Sequence, residues 1–241
     1  LADKKLIGVL TVAFRAARFI EAWARQLEVK TTADLLPLAV CGVKGWHSDW
    51  PQDDTPARAH DLGLQVLEGD WATDSQQRNA GLRFLREQGC EWALVIDTDE
   101  FYTPAELCAL VHSTAGPYGA VRAPMMDVYW RTPDYKIVPV QHDNPIVAIK
   151  TDQEFNFSRL SSVLSMQSHA RLHHMSYVRS DEEMLAKIHS FEHHFEVLGD
   201  WYERVWKHWK PEDKNLHPVV PEQFGMAIRE PAPDEILELL R

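Results

Sequence analysis

The sequence predicts an α/β protein built on a central, mainly parallel sheet. Three observations carry that expectation. Short apolar runs, of the kind that form strands buried on both faces, recur through the first half. Segments with helical spacing of apolar residues alternate with them. An acidic tetrad, Asp97-Thr98-Asp99-Glu100, directly follows one of those runs. Alternation of this kind gives a helix-covered parallel sheet, and ligands of such sheets sit outside the carboxyl ends of the strands.

Residues 6–12 form the first apolar run. Phe19, Ile20, Trp23 and Leu27 then recur at helical spacing and predict an amphipathic helix. Residues 38–43 read as a second strand, residues 44–58 as a polar loop, and residues 64–67 as a third strand ending at Gly69-Asp70-Trp71. Thr73, Asp74 and Ser75 offer N-caps for a helix carrying Gln76, Arg78, Asn79, Leu82 and Leu85. Residues 92–96 are the strand that runs into the acidic tetrad. Thr103-Pro104-Ala105-Glu106 is a helix start, with a Thr cap, Pro at the first helical position and Glu three residues after the cap.

The second half is less regular. Residues 120–123 and 146–149 read as strands, with Tyr129-Trp130 between them. Ser180-Asp181-Glu182-Glu183 is a second capping box. Asp200-Trp201-Tyr202-Glu203 is expected to open a helix with Trp201, Val205 and Trp209 on one face. From Pro211 the chain is Pro-rich and ends in a short helix. The expected organisation is one catalytic domain over residues 1–210, with a nucleotide-binding half (1–115) and an acceptor and metal half (116–210). Residues 211–241 form an irregular helical extension.

A formal net charge of −11 argues against a broad footprint on nucleic acid or on anionic membranes. The three cysteines are too scattered for a disulfide framework or a zinc site and read as reduced core thiols, which suits a cytoplasmic setting. No run has the 18 or so apolar residues of a membrane span, and the first apolar run is too short for a signal-peptide core.

The chemistry concentrates in the tetrad. Two carboxylates at a strand exit can both approach one divalent ion, or one can bind the ion while the other holds a ribose hydroxyl. Unit charges ~4–5 Å apart repel by roughly 3–4 kcal/mol at an effective dielectric of about 20, so something positive is expected beside them. Hard oxygen ligands point to Mg²⁺ or Mn²⁺ bridging to phosphate oxygens. The plainer alternative is a solvated acidic turn. An aspartyl-phosphatase nucleophile motif calls for Thr or Val two residues beyond the second Asp, where Phe101 stands. The first strand leads into Ala13-Phe14-Arg15-Ala16-Ala17, with no Gly-rich phosphate loop, which argues against P-loop NTPases, Rossmann dehydrogenases and nucleotidyltransferases.

Three pieces together resemble family-2-type glycosyltransferases with the GT-A fold. They are the opening strand and helix, the Arg78-Asn79-Ala80-Gly81 segment at a helix start, and the strand ending in Asp97-Thr98-Asp99. The resemblance covers residues 5–110 well and the remainder loosely. It implies a GT-A-like three-layer domain, a nucleotide-sugar donor (a UDP-sugar first), a Mn²⁺ or Mg²⁺ cofactor, and inversion at the anomeric carbon. The first strand departs from the family's Tyr-Asn ending, and the second ends in Cys41-Gly42-Val43 where relatives carry a base-reading Asp.

On this reading the donor lies near Thr11, Ala13, Phe14, Arg15, Asp70, Arg78, Asn79, Asp97 and Thr98. The metal ligands are Asp99 and Asp97, with His174 (or its neighbour His173) completing the shell as a downstream His does in many such enzymes. Arg78 or Arg179 helps to neutralise the leaving diphosphate. Asp127 and Asp181 are the candidate catalytic bases, although a capping role explains Asp181 fully. Trp130, Trp201, Trp206 and Trp209 are either core or a stacking surface for an acceptor, expected to be a glycan or a small molecule. The tail aromatics equally suit a homodimer contact, and His193-His194 read as surface or packing. A metal-dependent phosphohydrolase and a catalytically silent nucleotide- or carbohydrate-binding module are the other readings of the same residues.

Overall fold

The computed structural model describes residues 4–46, 50–191 and 194–241. The first half runs β1 (Leu6–Ala13), α1 (Ile20–Gln26), β2 (Asp34–Gly42), α2 (Thr55–Asp61), β3 (Gln65–Gly69), α3 (Asp74–Glu87), β4 (Trp92–Val95), β5 (Glu100–Phe101) and α4 (Pro104–Ser113). The second half adds β6 (Ala120–Arg122), β7 (Met126–Trp130), β8 (Thr132–Val138), β9 (Ile146–Lys150), β10 (Ser165–Gln167), β11 (Leu172–Tyr177), α5 (Asp181–Ile188), β12 (Met226–Arg229) and α6 (Asp234–Leu239).

The central sheet has the order β10-β6-β9-β4-β1-β2-β3, and β1 pairs in parallel with both β2 and β4. Its inner strands are buried on both faces. Val9, Ala39 and Leu94 face a core shared with Ile20, Trp23, Leu107 and Leu110, while Leu10, Val40 and Val95 face Leu82 and Leu85 of α3. This is the α/β fold with a mainly parallel central sheet that the apolar runs predict. Gly81 lets α3 lie close to the sheet, since a Cβ there would collide with the Leu10 and Val40 side chains. The helix starts read from sequence are present: Thr73 caps α3, and Thr103 and Ser180 form reciprocal capping boxes at α4 and α5.

A second sheet, in the order β12-β8-β7-β11-β5, packs against the first core. Much of it escapes the sequence pattern. The hairpin β7–β8 and the strands β10, β11 and β12 replace expected irregular chain, and α2 interrupts the expected loop after β2. Residues 211–241 contribute β12 as an edge strand on β8 and place Leu216, Phe224 and Ala227 in the main core. The expected helix after Asp200 is instead a short π-helical turn, Tyr202–Trp206. His193 lies outside the described residues, and His194 opens a one-turn 3₁₀ segment.

The aromatics form one packed cluster. Trp130 lies 5.2 Å from Tyr177, 6.1 Å from Trp201 and 5.2 Å from Trp206, ring centre to ring centre. All three tryptophans are fully buried, so they are core and not a sugar platform. Cys41 and Cys90 are buried and free, and burial pushes the Cys41 thiol up to about 12.

Because Trp130 joins the second sheet to the segment after α5, Trp130→Ala is expected to destabilise the protein by about 3–5 kcal/mol in urea denaturation. A loss below about 1 kcal/mol would mean that this cluster does not hold the two parts together.

Candidate active site

The acidic tetrad sits where β4 ends, at the carboxyl edge of the central sheet, and forms one wall of a pocket of about 390 Å³. Its two aspartates have different surroundings. The Arg78 guanidinium spans both oxygens of Asp97, at 2.8 and 3.0 Å. The Nε of the same arginine is held by Asp74 at 2.8–2.9 Å, one turn earlier on α3. Arg159, from the chain between β9 and β10, reaches the tetrad from the other side. It donates to the Val95 carbonyl at 2.8 Å and to the Ile146 carbonyl at 3.0 Å, and pairs with Glu100 and, at 3.5 Å, with Asp97. Glu100 in turn accepts from the Asp97 backbone N–H at 2.9 Å.

These contacts fix the charges. Burial pushes the Asp97 carboxyl up, but the Arg78 and Arg159 guanidiniums outweigh it and hold the group below the usual carboxylate range. Glu100 goes the other way: burial and Asp97 raise it more than Arg159 lowers it.

Asp99 faces the pocket. Strand β11 pairs antiparallel with the two-residue β5, placing His174 opposite Glu100, and the Met175 N–H donates to the Asp99 carbonyl at 2.7 Å. His174 Nε2 thereby lies 3.5 Å from Asp99 Oδ1. On the other oxygen, Arg179 donates at 3.0 Å and the Lys187 ammonium lies at 3.5 Å. Burial raises the Asp99 carboxyl, yet Lys187, His174 and Arg179 together hold it well below the usual range. Burial likewise brings the Lys187 ammonium down to about 8, against the pull of Asp99.

The cation expected beside the tetrad is therefore supplied by the chain itself. Asp97, expected as a metal ligand, has both oxygens covered by Arg78, because a strand-end carboxylate faces the first turn of α3. Asp99 Oδ1 and His174 Nε2 remain as a converging pair. A carboxylate oxygen and an imidazole fit a divalent ion that takes the rest of its shell from phosphate and water, as Mg²⁺ commonly does. Among the described residues no group of three His, Cys, Asp or Glu side chains converges to hold a metal unaided.

Of the expected donor residues, Ala13, Phe14, Arg15, Arg78, Asp97 and Thr98 line the pocket. Arg15 has a left-handed backbone (φ 48°), and its N–H is held by Gln52, whose amide also bridges the carbonyls of Ala13 and Gly42. Thr11, Asp70 and Asn79 lie outside. Thr11 is wholly buried inside β1, Asp70 is paired with Lys44 at 3.2 Å, and the Asn79 amide is tied to the Phe155 backbone at 2.9 Å in both directions.

Neither candidate base reaches the pocket. Asp127 is buried in the second sheet and held by Arg171 at 2.9–3.0 Å, with His173 Nδ1 3.9 Å away. His173, the other candidate ligand, is turned into this cluster and lies 3.3 Å from Glu106. Asp181 is on the first turn of α5, bonded to Arg131 at 2.7 Å and to the Trp206 indole at 3.1 Å. The sequence reading missed Trp46, Gln77, Ser176, Lys187 and Phe191 on the pocket wall.

No protein-family model matches the sequence, and no curated protein does. Solved structures do show similarity. Glucosyl-3-phosphoglycerate synthase from Mycobacterium tuberculosis, in complex with Mn²⁺, UDP and phosphoglyceric acid, aligns over 96% of this chain and 88% of its own, with 12% identity and a TM-score of 0.46. Its complex with Mg²⁺ and UDP aligns over 51% of this chain and 44% of its own, with 18% identity and a TM-score of 0.38. S. aureus TarS aligns over 50% of this chain and 21% of its own, with 15% identity and a TM-score of 0.34.

The ion pairs set a pH dependence. Asp97 and Asp99 have lowered folded-state pKa values, so the stability they contribute is complete above about pH 4 and is lost as pH falls through the folded values. Arg78→Met leaves Asp74 and Asp97 without their buried partner and is expected to cost about 3–5 kcal/mol at pH 7. Its acid limb should also be shallower than the parent's, which urea melts between pH 7 and pH 2 will read. Parallel acid limbs would show that Arg78 does not set the Asp97 charge.

Proposed function

We propose that the chain is a glycosyltransferase whose pocket holds the diphosphate of a nucleotide sugar, a UDP-sugar first, at the Asp99–His174 corner. The observation that carries this reading is the convergence of Asp99 and His174 at the strand end, beside Arg179 and Lys187, on the wall of a pocket of about 390 Å³. The motif order that resembles family-2-type enzymes supplies the reaction class.

Asp99 and His174 would hold a Mn²⁺ or Mg²⁺ ion, which when bound offsets the charge developing on the leaving diphosphate. Arg179 and Lys187 add fixed positive charge at the same place. Phe14, Trp46 and Phe191 give the pocket its apolar wall, suited to a nucleoside. Arg78 and Arg159 act from below, holding Asp97 and Glu100 so that the Asp99 carboxylate is turned to the ligand. Transfer to a glycan or small-molecule acceptor with inversion is the outcome the resemblance implies, and the anomeric coupling of the product reads it directly. Neither Asp127 nor Asp181 is placed to take the acceptor proton.

The phosphohydrolase reading is weaker on this geometry. An aspartyl nucleophile at Asp97 would have to leave the Arg78 fork that covers both its oxygens.

Calorimetry with UDP and Mn²⁺ tests the assignment. The parent is expected to bind, and Asp99→Asn to weaken Mn²⁺-dependent UDP binding by at least tenfold, about 1.4 kcal/mol. His174→Ala should weaken metal affinity on the order of 10–100-fold. Parent-like Mn²⁺ dependence in Asp99→Asn would move the metal, and the diphosphate with it, away from the tetrad.

A further inference from the structure

We propose that Arg179 and Lys187 form a phosphate-binding site that works without a divalent ion, so that the pocket takes a nucleoside diphosphate weakly on these two cations alone. The inference rests on the reading of the pocket as a nucleotide-sugar site. It concerns how the charge of that ligand is met.

Both side chains are pocket-lining and largely buried, at 11% exposure for Arg179 and 24% for Lys187. Each keeps donors in reserve. Lys187 has three N–H directions, one engaged with Ser176 Oγ at 2.6 Å and one facing Asp99 Oδ2 at 3.5 Å. Arg179 donates its Nε to the Ser176 carbonyl and its Nη2 to Asp99, both at 3.0 Å, and its guanidinium lies over the Phe19 ring at 5.3 Å. Among the described residues its Nη1 donors meet no acceptor and are left for a ligand.

The charge count points the same way. Asp74, Asp97 and Glu100 are met by Arg78 and Arg159, whereas Asp99 alone faces both Arg179 and Lys187. Around Asp99 the chain thus places two cations, Arg179 and Lys187, against one carboxylate. Two largely buried cations with unused N–H donors are what an oxyanion requires. The two residues are also rigidly presented. Ser176 ends bonded to both of them, and the Ser180 capping box fixes the start of the helix that carries Lys187.

The test is a UDP titration in EDTA and again in Mn²⁺, for the parent, Lys187→Met and Lys187→Arg. The parent should bind UDP in EDTA, more weakly than in Mn²⁺. Lys187→Met should lose at least tenfold of the EDTA affinity, and Lys187→Arg should recover part of it. Mn²⁺ affinity measured without nucleotide should fall by less than twofold in Lys187→Met. Parent binding only in Mn²⁺, or Lys187→Met binding like the parent in EDTA, overturns the inference and leaves the donor-site reading standing. No UDP binding under either condition removes both. Should Lys187→Met fail to fold, the parent alone decides the matter: UDP in EDTA should slow acetylation of Lys187 by acetic anhydride, followed by mass spectrometry, and unchanged labelling overturns the proposal.

Discussion

Everything at the site depends on one buried guanidinium. Arg78 joins the first turn of α3 to the end of β4 through Asp74 and Asp97, and it is itself almost wholly buried. Such an arrangement is a weak source of net stability, because desolvating three charges offsets much of their attraction. Its value is geometric. With both oxygens of Asp97 held and Glu100 anchored by Arg159, the turn after β4 has one orientation, and in that orientation Asp99 faces the pocket.

The other half of the corner comes from the second sheet. Strand β5 has only two residues, yet its pairing with β11 connects the tetrad to a segment far along the chain. That pairing sets the register that brings His174 to Asp99, and the turn beyond β11 delivers Arg179 and then α5 with Lys187. The tryptophan cluster around Trp130 secures the segment from behind. A binding corner assembled from two sheets in this way is defined by the packing between them, so core residues remote from any ligand hold its geometry.

This explains which parts were legible in the sequence. The central sheet was, because strands buried on both faces leave apolar runs, and Thr73, Thr103 and Ser180 are local capping signals that do not depend on the rest of the fold. The second sheet was not. Its strands bury Asp127, Lys136 and His173 in a polar network, so the alternation that marks a strand is masked by charged residues facing inward. Of the site itself, Asp99 and His174 were readable from motif and order, and Ala13 to Arg15 from position at a strand end. Arg159 and Lys187 were not, since nothing near either residue in the chain announces a partner at the tetrad. The exclusion of Thr11 and Asn79 follows from where their side chains point, which spacing alone does not fix.

The positive charge expected beside two neighbouring carboxylates is present, and it comes from the chain's own side chains. Arg78 lies 19 residues before Asp97 on a helix whose start faces the strand end, and Arg159, Arg179 and Lys187 arrive from later elements. Repulsion between Asp97 and Asp99 is met by the protein's own side chains, so the folded state of the tetrad does not depend on a metal. Neutralising Asp99 would then strand Arg179 and Lys187 as buried cations instead of relieving a clash of anions. Because the motif is compensated internally, the fold that presents Asp99 to the pocket stands without a bound ion.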